Sequence, residues 1–398
     1  MLPTRFGDLN IYKMYINTFV FLIVFLIIFP AQLGLNNPWQ PFMHMGLITY
    51  VSLGAVLFLI GNRFHTRIPP VFFLFGLVFF SIAAISAILS RDIQVLLVYG
   101  SLMLLFFLTN LISSRILAID ELILKIVIGA LSTGICLSLL SLFTESFSTF
   151  RYQGIFNNPN SMGWFAGGLL HLCLGALYDF WNRLKFVERT FMLSTLVVNF
   201  LLLMASNSRS AFASFLVVAF VLIILFISRN FSLHRMSIKK NTVVVLASLF
   251  IIVLLAISVG YVTGLYDNMI TKFIENAARS DMTNGRLESW LVELSYWNWF
   301  GHGSNFYYEV DVLGHSTWIS HLSQYGLAST SLFILMLIYI IIWAWVVATR
   351  NQQQISAVLL STILGFMVNA SFETGASTPG LVTSIVLFAI VFQQKKSI

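Results

Sequence analysis

Charge is scarce in this sequence. Asp, Glu, Lys and Arg make up 9% of the 398 residues, against roughly a quarter in a soluble domain. A water-exposed surface cannot be built from so few charges, so a soluble globular protein is excluded. Cysteine is nearly absent as well. Cys136 and Cys173 both fall within apolar runs and are expected to be small buried hydrophobes, with no disulfide framework. Metal-ligand spacing is missing: His302, His315 and His321 with Glu309 and Asp311 form no H-x-x-x-H or H-E-x-x-H pattern, so no metal is expected. Internal repeats and alternating apolar-polar strands are also missing. The latter absence argues against a transmembrane β-barrel.

Continuously apolar stretches fill the chain instead: 58% of residues are hydrophobic. Twelve candidate spans lie near 14–34, 42–60, 70–89, 93–111, 121–143, 160–180, 190–205, 210–228, 242–262, 322–348, 355–371 and 378–393. Most are long enough to cross about 30 Å of hydrocarbon as a helix. The seventh is short, and the polar knot "SNSRS" after it reads as a turn between two spans. The first run is too long for a signal-peptide h-region and lacks an A-x-A exit, so it is expected to remain as an anchor. The expectation is an all-α polytopic membrane protein, a single integral membrane domain over 1–398, with about twelve transmembrane helices.

Basic residues set the orientation. With both termini in the cytoplasm, only Arg91, Arg151, Arg209, Lys272, Arg279 and Arg286 fall outside, and the other sixteen of the 22 Lys and Arg fall inside. The same orientation places the longest loop, about 263–321, on the outer face. The basic residues are spread over inner loops rather than gathered in a patch, so no nucleic acid partner is expected despite the net charge of +7. The loop carries amphipathic helices. "MITKFIENAA" aligns Ile270, Phe273, Ile274 and Ala277, and "RLESWLVELSYWNWF" aligns Leu287, Trp290, Leu291 and Leu294, with Trp297, Trp299 and Phe300 close behind. Such helices rest on membrane lipids at the headgroup level.

Of the six outer basic residues, Arg91 beside Asp92 and Lys272 and Arg279 around Glu275 have local explanations as charge pairs or solvated side chains. Arg151, Arg209 and Arg286 do not. Arg209 sits among Ser206, Asn207, Ser208 and Ser210 at a span end, where an arginine faces protein interior or an aqueous cavity. Guanidinium forks suit phosphate oxygens and stay charged. A pyrophosphate at the outer face, as carried by lipid-linked sugars, is the natural match. In "FNNPNSMG", Asn160 or Ser161 is placed to cap the following helix, whose N-terminus offers N–H groups to an anion. His315, near these arginines, is the candidate general base, since an imidazole titrating near ~6.5 suits proton abstraction at neutral pH. His321 is expected at the start of the tenth span. His302, between Gly301 and Gly303, is a further candidate for substrate contact.

Four stretches, "RYQGIFNNPNSMG", "NSRSA", "NGRLESW" followed by "FGHGSNFY", and "HSTWISHLSQYGL", together resemble the O-antigen ligase and O-antigen polymerase superfamily of bacterial envelope enzymes. The twelve-span plan with its large outer loop extends the likeness to the whole chain. The resemblance implies a metal-independent, C-type glycosyltransferase architecture in the bacterial inner membrane, without cofactor. It implies transfer of a glycan from an undecaprenyl-pyrophosphate-linked donor at the periplasmic face. Arg209 and Arg286 match pyrophosphate-binding arginines, His315 matches an essential histidine, and Arg151 matches a further arginine. Asn160, Ser208, Trp290, His302 and Ser316 are expected to line the substrate site. The chain departs from the family at Ser316, where asparagine is usual; serine can still orient the ring.

The superfamily's polymerases carry R-x10-G motifs, but the positions eleven after Arg151 and Arg286 are Met162 and Trp297. This favours a ligase with a lipid A–core acceptor over an O-antigen or capsular polysaccharide polymerase, whose acceptor would be a second lipid-linked glycan. A polysaccharide or lipid transporter is the third reading. It is disfavoured because the long loop lies outside after the ninth span and the ionisable groups cluster at span ends.

Overall fold

The computed structural model describes residues 119–143, 152–231 apart from Asn157, 285–303, 316–350 and 356–372, with isolated residues between 77 and 91, between 254 and 274, and at 306 and 310. Seven helices can be bounded among them: α1 (Ile119–Leu142), α2 (Pro159–Phe180), α3 (Phe186–Ser206), α4 (Arg209–Phe231), α5 (Arg286–Ser295), α6 (Thr317–Arg350) and α7 (Ser356–Ala370). The described residues are helix and turn throughout. α2, α3, α4 and α6 are long and apolar enough to cross a membrane. They correspond to the expected sixth, seventh, eighth and tenth spans. α1 and α7 fall at the fifth and eleventh. The first, second, fourth and twelfth spans, about half of the third and nearly all of the ninth lie outside the described residues.

α2 is the central helix, packed by α1, α3, α4 and α7, while α7 also packs on α4 and α6, and α5 lies on α6. Small residues let the backbones meet. A Cβ at Gly163 would stand 2.3 Å from Ser208 Cβ, and one at Gly175 would stand 2.6 Å from Val358 Cα. This is the close approach that glycine permits between helices in lipid. The interior is filled by Leu170, Leu174, Phe180, Leu203, Ala211, Leu222 and Ile363. Large apolar side chains such as Leu216, Phe220, Ile227, Leu335, Ile338 and Ile342 point outward from α4 and α6, as on a lipid-facing surface.

Two polar layers close the bundle. At one end, Asp179 near the C-terminus of α2 accepts from the backbone N–H groups of Ala357 and Val358 at 2.9 Å each, so one helix caps another. Beside it, Glu188 accepts from the N–H of Lys185 at 2.7 Å, and Arg189 donates to the Trp181 carbonyl at 3.1 Å and stacks over that ring. The α2–α3 connection is thereby held tight. At the opposite end, the Tyr152 N–H donates to the Ala205 carbonyl at 3.1 Å, the Tyr152 hydroxyl to the Ser141 carbonyl, and Trp318 Nε1 to Ser371 Oγ at 3.1 Å. The second end carries Arg209 and is called the arginine end below. Cys173 is buried as expected. Cys136 is not: it lies exposed on α1, and both thiols are free.

α6 is not continuous. Gly326 takes φ 83° and ψ 169° inside it, which divides the tenth span into a short helix and a long one. The backbone groups freed at the break are taken up by the segment after α5. The N–H groups of Leu327 and Ala328 donate to the carbonyls of Asn298 and Trp299 at 2.8 and 3.2 Å. In return, the N–H groups of His302 and Gly303 donate to those of Ser323 and Gln324, each at 2.9 Å. Broken backbone at membrane depth is tolerated where protein satisfies it in this way.

Candidate active site at the arginine end

Arg209 is placed by the corner between α3 and α4. Asn207 adopts the left-handed conformation (φ 53°, ψ 32°) and its N–H returns to the Met204 carbonyl, ending α3. Asparagine tolerates this region better than most residues. The Ser208 carbonyl accepts from the Phe212 N–H at 3.0 Å, so Ser208 is the N-cap and Arg209 the first residue of α4. Ser208 donates its own N–H to Ser206 Oγ at 3.3 Å, and its hydroxyl lies 3.4 Å from Ser210 Oγ. Ser208 is buried and Arg209 half-buried.

The N-terminus of α2 packs beside this corner through Gly163. Its cap is Asn158, whose Oδ1 accepts from the Asn160 N–H at 2.8 Å, with Pro159 at the first helical position. The expected cap, Asn160 or Ser161, therefore shifts back: proline fixes the first turn and leaves the residue before it as N-cap. Asn160 is half-buried in that first turn. α6 begins at the same end. Ser316 is buried, and its carbonyl accepts from the Ser320 N–H at 2.9 Å. The N-termini of α2, α4 and α6 thus share the arginine end. Each carries a partial positive charge and N–H groups suited to an anion.

Arg286 opens α5 after Gly285 in the left-handed region (φ 80°). Its Nη1 donates to the Phe372 carbonyl, just past the end of α7, at 2.6 Å. A cation at a helix C-terminus is favourable, and the contact ties α5 to the bundle. The apolar face of α5 is turned away from the protein: Leu287 and Leu291 are 52% and 58% exposed, whereas Glu293 is fully buried. Trp290, expected on the apolar face with them, is half-buried. Arg286, Trp290 and Glu293 follow at the spacing of one helical face. α5 therefore turns Arg286, Trp290 and Glu293 inward and Leu287 and Leu291 outward, as in a helix lying against lipid.

Several buried polar atoms on these helices have no hydrogen-bond partner among the described residues. They are both amide atoms of Asn207, Oδ1 of Asn369, Oγ of Ser320 and Nε1 of Trp290. Buried polar groups are nearly always paired.

His302 is an exposed ring in the turn after α5. Its Nε2 lies 2.6 Å from the Tyr296 carbonyl and 3.1 Å from Asn298 Nδ2, and the ring stacks on Phe306. A carbonyl can only accept and an amide nitrogen can only donate, so each tautomer of the ring bonds one of these two partners. His321 is buried at the start of the tenth span, and its Nδ1 lies 3.0 Å from Thr330 Oγ1. It bridges the two halves of α6 across Gly326. Arg151, His315, Glu309 and Asp311 lie outside the described residues. Their chain neighbours Tyr152 and Ser316 are both buried at the arginine end. Among the described residues, no cluster of His, Cys, Asp or Glu could hold a metal.

The sequence reading did not anticipate His171, Ser214 and Asn369, which form a buried hydrogen-bonded group below this end. The available signal was a set of polar residues inside apolar runs.

These features are those of a helical membrane protein. A family model described as O-antigen ligase matches residues 194–326, from within α3 through α4 and α5 to the break in α6. The match supports the O-antigen ligase superfamily resembled by the four motifs; it contains "NSRSA", "NGRLESW" and "FGHGSNFY" whole and nearly all of "HSTWISHLSQYGL". No curated protein matches the chain.

Proposed function

We propose that the chain is an O-antigen ligase of the bacterial inner membrane, built on about twelve spans with both termini cytoplasmic and the loop 263–321 in the periplasm. It transfers a polysaccharide from undecaprenyl pyrophosphate to a lipid A–core acceptor. One observation carries the reading: Arg209 begins a helix, and Arg286 is anchored at the same end of the bundle, within the stretch matched by the family model.

In this reading Arg209 and Arg286 hold the pyrophosphate, supported by the α4 N-terminus and Ser208. Arg151, Asn160, Trp290 and His302 line the remainder of the donor and acceptor path. His315, immediately before the buried Ser316, takes the proton from an acceptor hydroxyl. The hydroxyl oxygen bonds to the anomeric carbon as the bond from that carbon to the pyrophosphate oxygen breaks, inverting the centre. The electron pair leaves with undecaprenyl pyrophosphate, whose developing charge the arginines stabilise. This is electrostatic preorganisation of the kind that supplies the largest share of many rate enhancements.

A polymerase uses the same donor and differs in acceptor. Met162 and Trp297, where R-x10-G motifs would place glycine, favour the ligase. The glycan profile of a deletion strain separates the two. Loss of a ligase leaves long chains on undecaprenyl pyrophosphate, and loss of a polymerase leaves single repeats attached to core. Counterflow of substrate into vesicles without glycan product would instead favour a transporter.

A further inference from the structure

His171, Ser214 and Asn369 come from α2, α4 and α7 and meet inside the bundle, each more than nine-tenths buried. Ser214 Oγ donates to the Ala211 carbonyl at 2.7 Å and accepts from Asn369 Nδ2 at 3.0 Å. His171 Nε2 lies 3.3 Å from the same oxygen. A hydroxyl has one proton. With that proton on Ala211, Nε2 is the donor to Ser214, so the bonding fixes the ring's tautomer. Gly365 fixes its place: a Cβ there would stand 2.0 Å from His171 Nδ1, so α7 lies flat against the imidazole.

Apolar side chains pack helices without the cost of burying polar groups. The group therefore has more to explain than adhesion, and its two ends indicate what it holds. Ser214 stands on α4 five residues after Arg209. Asn369 stands on α7 three residues before Phe372, the residue whose carbonyl receives Arg286. The Asn369–Ser214 bond thus sets the register between the helix that begins with Arg209 and the helix end that anchors Arg286. His171 clamps the shared oxygen from the central helix.

We propose that His171, Ser214 and Asn369 are positioning residues, fixing α7 against α4 so that Arg209 and Arg286 address one anion. The proposal rests on the reading of the two arginines as donor ligands. Its test uses the purified full-length chain in lipid nanodiscs as wild type, Ser214→Ala, Ser214→Thr, Arg286→Lys and the Ser214→Ala/Arg286→Lys double variant. Two readouts are taken: amide hydrogen exchange over 286–295, and transfer from an undecaprenyl-pyrophosphate-linked glycan.

Ser214→Ala is expected to speed exchange over 286–295 by about three- to fifteen-fold, the range spanned by the loss of one to two interhelical hydrogen bonds in a bilayer. It is expected to lower kcat by a similar factor with little change in donor KM. Ser214→Thr, which keeps the hydroxyl, retains wild-type values. In the Arg286→Lys background Ser214→Ala costs little further, because the arginine it positions is gone. Unchanged exchange over 286–295, or losses of transfer that multiply in full in the double variant, would overturn the proposal. If the wild type transfers no glycan, the reading of the arginines fails. Exchange then decides the coupling alone, faster exchange supporting it and unchanged exchange overturning it. Should Ser214→Ala not fold, the nearly isosteric Asn369→Leu is read by the same criteria.

Discussion

At the residue scale, the weight falls on two guanidinium groups whose settings differ. Arg209 opens a helix, so its charge adds to the positive end of the α4 dipole. Arg286 is held from outside by the Phe372 carbonyl. An ammonium cannot reproduce a planar fork that holds a carbonyl while presenting further N–H groups to phosphate. Arg286→Lys is therefore expected to retain insertion and folding yet lower transfer. Arg286→Ala is expected to lower it by about 10²-fold or more, as removal of one stabilising donor does elsewhere. Single-turnover assays on purified variants, checked by size-exclusion profile, measure both. Asp179, at the other end, has a different duty. Its carboxylate caps two N–H groups of α7, so Asp179→Ala is expected to cost about 1–2 kcal/mol of stability. That loss is read as a lower thermal midpoint in detergent, with transfer near wild type well below it.

At the scale of elements, close approach and the helix break decide the outcome. Gly163 meets the Ser206–Ser208 corner with no room for a side chain, whereas a Cβ at Gly168 would meet nothing within 4 Å. Gly163→Val is expected to displace α2 from the Arg209 corner and lose both thermal stability and transfer, while Gly168→Val changes neither; thermal unfolding and transfer on the same preparations decide it. Gly326→Ala is expected to destabilise the chain in the same assay. It faces a positive φ, and its Cβ would collide with the Trp299 carbonyl.

The spans at α2, α3, α4 and α6 were legible in sequence because about twenty apolar residues in a row have few alternatives to crossing a bilayer. The turn "SNSRS" was legible because its polar residues interrupt such a run. The break in α6 was not. Its exposed backbone groups are satisfied by residues 298–303, more than twenty positions earlier in the chain, and the lone Gly326 gives no hint of that partner. The amphipathic pattern of α5 was also legible, but periodicity cannot say which face turns inward. Glu293 is buried and Leu291 exposed, the reverse of a soluble helix, because the apolar side has lipid rather than a core to meet. The cap at Asn158 was missed by two or three residues, since proline rather than the asparagine pattern set the first turn.

At the scale of the whole molecule, the long helices alternate in direction, so that α2, α4 and α6 begin, and α3 and α7 finish, at the arginine end. The proposed function requires that end to face the periplasm. Single cysteines introduced at exposed positions in a background lacking Cys136 and Cys173 test this. A cysteine at Glu288, an exposed polar position of α5, is expected to react with a membrane-impermeant maleimide added to intact spheroplasts. One at Lys185 is expected to react only after lysis, and the opposite pattern would invert the topology.

The central claim is glycan transfer from a lipid pyrophosphate, and reconstitution tests it most directly. The purified chain is mixed in nanodiscs with an undecaprenyl-pyrophosphate-linked polysaccharide and lipid A–core, without divalent metal. The account predicts a ladder of polysaccharide on lipid A–core that is lost in Arg209→Ala and His315→Ala. Folded wild-type chain that leaves the acceptor unmodified, or His315→Ala that transfers at the wild-type rate, would contradict it.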